Sequence, residues 1–172
     1  MTDPAPAAAA GGDYNLVPYV SKPFPQSQPP RLAALAALFG LSAPAVSQCQ
    51  MLELGCASGG NLIPLALRFP ASRFRGVDLT DRHVRHGQAR IAALDLRNVR
   101  IEQGDIATLD LGIERFDYIV CHGVYSWVPP EVRDAILRIA AEHLAHNGVA
   151  YVSYNVFPGW HLRGVIRDMM VY

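Results

Sequence analysis

A chain of 172 residues has the size of one ordinary domain and is long enough to bury a substantial core. Lysine and arginine together number 15, as do aspartate and glutamate, and this balance disfavours nucleic acid and anionic membranes as partners. The three cysteines are odd in number and form no CxxC pair, which favours a reducing, cytoplasmic compartment over a disulfide scaffold.

The amino-terminal part of the chain predicts a leader, an arm and one helix. Residues 1–13 are rich in alanine and proline, lack a basic segment and predict a disordered leader. Residues 14–47 predict an arm followed by a helix, in which Pro29 and Pro30 occupy the first turn and Gly40 ends the run "LAALAALFG". Glycine, proline and polar residues interrupt the uncharged stretch 32–52, so we predict no membrane span there.

Residues 48–172 predict an alternation of strands and helices. The strand candidates are CQMLEL, RFRGVDL, NVRIEQGD, FDYIVCHGV and GVAYVSYN. The helix candidates are NLIPLALRF, DRHVRHGQARIAALDL and PEVRDAILRIAAEHLAH. Such an alternation predicts right-handed crossovers and a doubly wound, mostly parallel α/β sheet with helices on both faces.

A loop of small residues follows the first predicted strand, in the segment MLELGCASGGN at residues 51–61. In doubly wound sheets, ligands bind beyond the carboxyl ends of the strands, at the switch point in strand order. Small side chains at this place allow a sharp turn and let a ligand approach the backbone. A tight strand-to-helix turn without a ligand would use the same residues.

Two nucleotide cofactors fit this loop. The dinucleotide fingerprint GxGxxG is imitated by Gly55, Ala57 and Gly60. The D/E-x-G-x-G-x-G loop of S-adenosylmethionine enzymes is imitated, with alanine in place of its second glycine, by Glu53, Gly55, Ala57 and Gly59. The loop alone therefore leaves a nicotinamide and S-adenosylmethionine both open.

Acids after the second and third predicted strands help to separate these cofactors. Asp78 can accept hydrogen bonds from the ribose hydroxyls of either cofactor, or it can cap the helix that follows. However, Glu53 in the first strand, "GD" at residues 104–105 and "FDYIV" in the fourth strand resemble the ordered motifs of class I methyltransferases. This order favours S-adenosylmethionine over a nicotinamide.

Four longer strings carry a closer resemblance: YNLVPYVSKPFPQSQPPRLAALAALFGL, MLELGCASGGNLIPLA, HGVYSWVP and VSYNVFPGWHLRGVIRDMM. They resemble the amino-terminal catalytic part of bacterial methyltransferases that also carry a methyltransferase regulatory domain, a family that includes protein-lysine methyltransferases. Members of that family continue well past the length of this chain. The resemblance therefore implies a Rossmann-like sheet truncated after its fifth strand, whose exposed edge invites self-association.

The same resemblance implies roles for individual residues. Glu53 would bind the cofactor's amino group, Asp78 its ribose hydroxyls and Asp105 its adenine amine. The predicted cofactor residues are Glu53, Gly55, Ala57, Gly59, Asp78, Leu79, Asp105, Ile106 and His122. Tyr14 and Tyr19 in the arm either cover the cofactor as a lid or pack against the domain.

The acceptor side is expected beyond the fourth and fifth strands, where aromatic and polar side chains cluster. Residues expected to position the acceptor are Tyr125, Trp127, Tyr154 and Asn155. Aromatic faces can hold an amine as a cation, and hydroxyl or amide groups can align it. The sequence thus predicts an S-adenosylmethionine-dependent methyltransferase acting on a protein lysine or another amine. A non-catalytic cofactor-binding or interaction fragment and an NAD-dependent oxidoreductase are the alternatives.

We predict no metal site. The paired histidines at residues 83 and 86 and at residues 143 and 146 can share a helix face. Neither pair has a third ligand at a suitable spacing, so solvated helical histidines explain them better.

Overall fold

A computed structural model of the protein describes residues 21–161 together with residues 164, 165 and 169. The predicted leader, Tyr14 and Tyr19 lie outside these residues. Within them the chain alternates between strands and helices, as the sequence predicts. The strands are β1 (Gln50–Leu54), β2 (Arg73–Asp78), β3 (Val99–Gln103), β4 (Phe116–Cys121) and β5 (Leu144–Val152). The α-helices are α1 (Pro29–Leu38), α2 (Leu62–Arg68), α3 (Asp81–Ala93) and α4 (Pro130–His143).

The five strands form one parallel sheet in the order β3-β2-β1-β4-β5. The chain runs outward from β1 to β2 and β3, and then returns to the other side of β1 for β4 and β5. The switch point therefore lies at the carboxyl end of β1, where a doubly wound sheet binds its ligands. This arrangement confirms the predicted fold class. Among the described strands β5 pairs only with β4, and its predicted role in self-association stays a prediction.

Two hydrophobic cores lie on opposite faces of the sheet, because successive side chains of a strand point to opposite sides. The first core includes Leu32, Met51, Leu65, Val84, Tyr118 and Val120. The second core includes Leu52, Leu54, Ile119, Ile136 and Ile139. Helix α1 covers the first face together with α2 and α3, whereas α4 covers the second. No helix in the described part of the chain is long and apolar enough to cross a membrane.

The boundary between α4 and β5 differs from the predicted one. The sequence predicts a helix through residue 146 and a strand from residue 148, whereas the helix ends at His143 and the strand starts at Leu144. Leu144 is extended, with φ −71° and ψ 134°, and it pairs with Phe116 at the start of β4. It also packs against the second core. Tertiary packing of this leucine therefore overrides the helical periodicity of the local sequence.

Candidate functional site

The loop after β1 turns back against β2 through a series of left-handed backbone conformations. Gly55, Ala57 and Gly59 have φ values of 72°, 48° and 72°. The backbone N–H groups of Gly55 and Cys56 both donate to the carbonyl oxygen of Val77, at 2.8 and 3.1 Å. A Cβ atom at Gly55 would collide with the side chain of Val124. Small residues are thus required here by backbone conformation and by close packing at the same time.

Asp78 at the end of β2 holds this loop in place. Its Oδ2 accepts a hydrogen bond from the backbone N–H of Ala57 at 2.7 Å, and its Oδ1 accepts one from Thr80 at 3.0 Å. Oδ1 also lies 3.4 Å from Nδ1 of His83. The prediction of solvated histidines is wrong at residues 83 and 143, because both side chains are buried against the domain. Asp78 therefore stabilises the unusual conformation of Ala57 and starts the turn into α3. A carboxylate offers about four lone-pair sites, so these contacts leave acceptor capacity for hydroxyl groups.

Glu53 is enclosed beneath the same loop, on the Met51 side of the sheet. The residue is only 4% exposed, and Oε1 accepts a hydrogen bond from Nδ2 of Asn61 at 3.0 Å. Its Oε2 has no hydrogen-bond partner among the described residues. Burial, with a smaller contribution from the charge of Asp78, raises the pKa of Glu53 to about 8. A buried carboxyl oxygen without a partner is energetically costly, and a cationic ligand would relieve that cost.

A segment of the amino-terminal arm, residues 21–28, lies directly over the glycine loop; we call this segment the strap. The backbone N–H of Gly60 donates to Oγ of Ser21 at 2.8 Å, and a Cβ atom at Gly60 would lie 2.5 Å from the backbone N of Lys22. Farther along the strap, the ring of Phe24 lies 4.2 Å from that of His122, measured between ring centroids. The strap therefore bridges the loop after β1 and the end of β4.

The other predicted cofactor residues lie at the same edge of the sheet. The backbone N–H of Gly104 donates to the carbonyl oxygen of Asp78 at 3.0 Å, which places the ends of β2 and β3 side by side. Asp105 is exposed, and its Oδ1 accepts the N–H of Ala107 at 2.9 Å. Leu79 is 40% exposed and Ile106 is 9% exposed. The fold thus gathers an apolar surface and carboxyl groups around one edge.

The loops after β4 and β5, residues 122–128 and 153–161, are joined by two hydrogen bonds; we call them the acceptor loops. The N–H of Gly123 donates to Oγ of Ser153 at 2.8 Å, and the N–H of Asn155 donates to Oγ of Ser126 at 2.7 Å. Ring centroids lie 6.3 Å apart for Tyr125 and Tyr154, and 5.7 Å apart for Trp127 and Trp160. The fold therefore brings together all four residues predicted to position an acceptor.

His122 occupies the junction between the strap and the acceptor loops. Its ring stacks with that of Tyr151 at a centroid distance of 5.9 Å, and its Nδ1 lies 3.4 Å from the Tyr151 hydroxyl. Burial lowers the pKa of His122, which favours the neutral imidazole. This position lies at the carboxyl end of β4, next to β1, and is compatible with a contact to either the cofactor or the acceptor.

Several residues with clear structural roles at the site were not identified by sequence reasoning. They are Ser21, Phe24, Ser27, Asn61, Ser126, Tyr151 and Ser153. Only Asn61 had a local signal, because it directly follows the run of small residues. Each of the others makes a contact at the site with a group more than 25 positions away, which only the folded topology reveals.

Comparison with known proteins shows similarity along most of the chain. Residues 51–148 match a family model described as a methyltransferase domain. Two uncharacterized proteins of Rickettsia prowazekii (strain Madrid E), RP789 and RP028, are 46% and 42% identical to this chain over 159 residues. Each match covers 92% of this chain, but 29% of RP789 and 64% of RP028.

A solved structure is also similar to this chain over most of its length. The structure of PKMT2 from Rickettsia typhi in complex with AdoHcy has a TM-score of 0.85 and 41% sequence identity to this chain. The match covers 90% of this chain and 30% of that chain. This chain thus spans less than a third of the length of RP789 and of PKMT2.

Replacing Glu53 by glutamine should stabilise the cofactor-free protein, increasingly so as the pH rises. The ordinary pKa of the carboxyl is 4.5, whereas the folded protein retains the proton up to about pH 8. Ionisation therefore opposes folding above pH 4.5, and glutamine avoids that cost. Between pH 6 and 8 the gap in unfolding free energy between Glu53→Gln and wild type should widen by roughly 1 kcal/mol per pH unit.

Urea denaturation at several pH values measures this gap. Glu131→Gln, at an exposed glutamate in the first turn of α4, controls for the loss of a surface carboxylate. A Glu53→Gln variant whose advantage over wild type is constant from pH 6 to 8 would contradict the raised pKa.

Proposed function

This chain belongs to the methyltransferase domain family, and on that premise we propose that it binds S-adenosylmethionine at the glycine loop and supports methyl transfer to an amine. The observation that carries the proposal is the buried Oε2 of Glu53, which has no hydrogen-bond partner among the described residues. The α-ammonium group of S-adenosylmethionine would supply that partner. PKMT2, which is 41% identical to this chain, has been solved with AdoHcy, and this supports the choice of cofactor.

Carboxylates at the ends of three adjacent strands suit this cofactor better than a nicotinamide dinucleotide. Glu53 is the penultimate residue of β1, Asp78 is the last residue of β2, and Asp105 follows β3 by two residues. S-adenosylmethionine carries a positive sulfonium and a positive ammonium group, which acids attract. The pyrophosphate of NAD is negative, so it offers no cationic donor to the buried Oε2 of Glu53, which has no partner among the described residues. Charge complementarity therefore favours S-adenosylmethionine over the oxidoreductase alternative.

The remaining contacts of the cofactor follow from the strand ends. In our proposal Asp78 accepts hydrogen bonds from the ribose hydroxyls, and Asp105 accepts one from the adenine amine. The backbone N–H of Ile106 faces the adenine ring. The exposed side chain of Leu79 covers one face of the adenine. Gly55, Ala57 and Gly59 bring the backbone close to the methionine moiety, and His122 contacts the cofactor from the end of β4.

The cofactor supplies an activated methyl group with a neutral thioether as leaving group. The protein then has to place an unprotonated amine in line with the methyl carbon and exclude water. The nitrogen lone pair forms the new C–N bond as the C–S bond breaks, and the nitrogen loses a proton. In our proposal the acceptor loops bind the amine first as a cation, before it loses its proton, with aromatic faces from Tyr125, Trp127 and Tyr154 and a polar contact from Asn155.

We propose a lysine side chain of a protein as the acceptor. A lysine presents a long apolar stem and a cationic tip, and the acceptor loops offer aromatic rings for both. Trp127 is 48% exposed and Tyr154 is 64% exposed, so a lysine on a protein surface can reach them without entering a deep cavity. The similarity to PKMT2 points in the same direction.

Calorimetry should show binding of S-adenosylhomocysteine and no binding of NADH. Asp78→Ala should weaken S-adenosylhomocysteine binding about tenfold or more, because a loss of roughly 1.5 to 3 kcal/mol accompanies two lost hydrogen bonds. Asp110→Ala is the matched control, since Asp110 also accepts a hydrogen bond from a backbone N–H, that of Gly112 at 2.8 Å, but is not one of the proposed cofactor residues. Tighter binding of NADH than of S-adenosylhomocysteine would refute the cofactor assignment. If folded Asp78→Ala binds S-adenosylhomocysteine as tightly as wild type, Asp78 does not contact the cofactor and only stabilises the loop and the turn.

Trp127→Ala should raise KM for a lysine peptide roughly fivefold and leave cofactor affinity unchanged, because an exposed cation–π contact contributes about 1 kcal/mol. The measurement is transfer of a radiolabelled methyl group to lysine-containing peptides. Leu137→Ala, at a 49% exposed side chain on α4, controls for loss of apolar surface. If wild type binds the cofactor but transfers no methyl group to any amine, the chain is a non-catalytic cofactor-binding fragment. An unchanged KM in Trp127→Ala would exclude Trp127 from the acceptor site.

A further inference from the structure

We propose that Asn61 is a positioning residue: it directs one carboxyl oxygen of Glu53 toward the cofactor's ammonium group and fastens the strap over the glycine loop. This inference rests on the proposed function. It adds a residue to the cofactor site and predicts how protons and cofactor compete there.

The Asn61 side chain lies at the centre of a buried hydrogen-bond network. The residue is 3% exposed. Its Oδ1 accepts the backbone N–H of Phe24 at 3.3 Å, and its Nδ2 donates to Glu53 Oε1 at 3.0 Å and to Ser27 Oγ at 3.3 Å. All three partners are fixed by the fold, one at the end of β1 and two in the strap. The amide therefore connects the cofactor carboxyl to the segment that lies above it.

The network determines which oxygen of Glu53 is left for a ligand. Because Asn61 occupies Oε1, a cation has to bind at Oε2, the oxygen without a partner among the described residues. A primary ammonium group is compact and brings three donors, so it fits a single enclosed oxygen better than a guanidinium, which prefers two oxygens. Without Asn61 the carboxyl could rotate, and neither oxygen would be held for the cofactor.

The groups around Glu53 make cofactor binding compete with a proton. Asp78 approaches from β2, Cys56 from the loop and Cys121 from β4, and none of these adds positive charge. The strap contributes the neutral Ser27 through Asn61. Glu53, with its pKa raised to about 8, keeps its proton at neutral pH until an ammonium group binds. Binding should then release close to one proton at pH 7, and affinity should rise with pH up to about 8.

Asn61 affects this competition in a defined direction. Its hydrogen bond to Glu53 favours the ionised carboxyl and lowers the pKa, although burial has the larger effect. Removing the amide should raise the Glu53 pKa further, because the charged form loses a donor. The cofactor affinity of Asn61→Ala should therefore be lower at pH 7, and its rise with pH should extend to higher pH. A purely structural role would not shift the pH profile.

The test is calorimetric titration of S-adenosylhomocysteine into wild type, Asn61→Ala and Ser27→Ala between pH 6 and 8. Ser27→Ala is the matched control because it removes a strap contact of Asn61 but keeps the Asn61–Glu53 hydrogen bond. For wild type, Kd should fall nearly tenfold from pH 6 to 7. Asn61→Ala should bind about tenfold more weakly at pH 7, with its profile displaced to higher pH, whereas Ser27→Ala should keep the wild-type profile.

Methylthioadenosine, which shares the adenosine part but has no amino group, is the second probe. Its affinity should depend neither on pH nor on Asn61, and its binding should release no proton. Titrating wild type in two buffers of different ionisation enthalpy counts the released protons, so the proposal stays testable even if Asn61→Ala does not fold.

Three results would overturn the assignment. The first is a wild-type protein that binds S-adenosylhomocysteine without releasing a proton at pH 7. The second is an Asn61→Ala variant that keeps the wild-type affinity and pH profile. The third is an Asn61→Ala variant whose affinities for S-adenosylhomocysteine and methylthioadenosine fall by the same factor. A folded wild-type protein that binds neither compound would refute the proposed function itself.

Discussion

A carboxyl group enclosed among apolar strands needs a hydrogen bond for each oxygen or a cation nearby, and Glu53 has only one such hydrogen bond within the described residues. The residue precedes a loop whose backbone turns sharply at Gly55 and Ala57. Larger side chains in that loop would collide with neighbours, with Val124 at Gly55 and with the backbone of Lys22 at Gly60. The small-residue loop and the strap together enclose this one group, and its Oε2 is the atom at which we propose that the ligand binds.

The topology explains why the other polar groups gather around the same point. In a parallel sheet with β1 at its centre, the carboxyl ends of β2, β3 and β4 lie close to Glu53. Asp78, at the end of β2, is bonded to the loops after β1 and β3. Its carboxylate accepts a hydrogen bond from Ala57, and its backbone carbonyl accepts one from Gly104. The acceptor loops, after β4 and β5, lie on the opposite side of β1 from the two aspartates. The proposed cofactor residues and the proposed acceptor residues therefore lie on opposite sides of β1, because the chain leaves the switch point in opposite directions for β2 and β4.

The sequence predicted the parts of this arrangement that local chemistry determines. The alternation of buried strands and helices, the turn of small residues and the acids at Glu53, Asp78 and Asp105 were all visible as patterns. The fold class and the methyltransferase family are confirmed, while the roles of individual site residues stay proposals. Asp78 illustrates the limit, because it stabilises the loop and the turn in addition to the ribose contact that its position predicts.

What the sequence did not reveal depends on contacts between distant segments. Asn61 meets Phe24 and Ser27 only because the strap folds back across the sheet, and no periodicity records a hydrogen bond across 34 or 37 positions. The hydroxyl groups of Ser126 and Ser153 likewise connect two loops that only the pairing of β4 and β5 brings together. The start of β5 was misplaced for the same reason, since the core that receives Leu144 is formed by distant residues.

A crystal structure of this chain with S-adenosylhomocysteine would show directly whether the ligand's amino group binds Glu53. We expect the ligand's amino nitrogen to lie within hydrogen-bond distance, about 3 Å, of Glu53 Oε2, while Asn61 still donates to Oε1 and the strap still covers the loop. A ligand bound with its amino group away from Glu53, and with Oε2 still without a partner, would contradict this expectation.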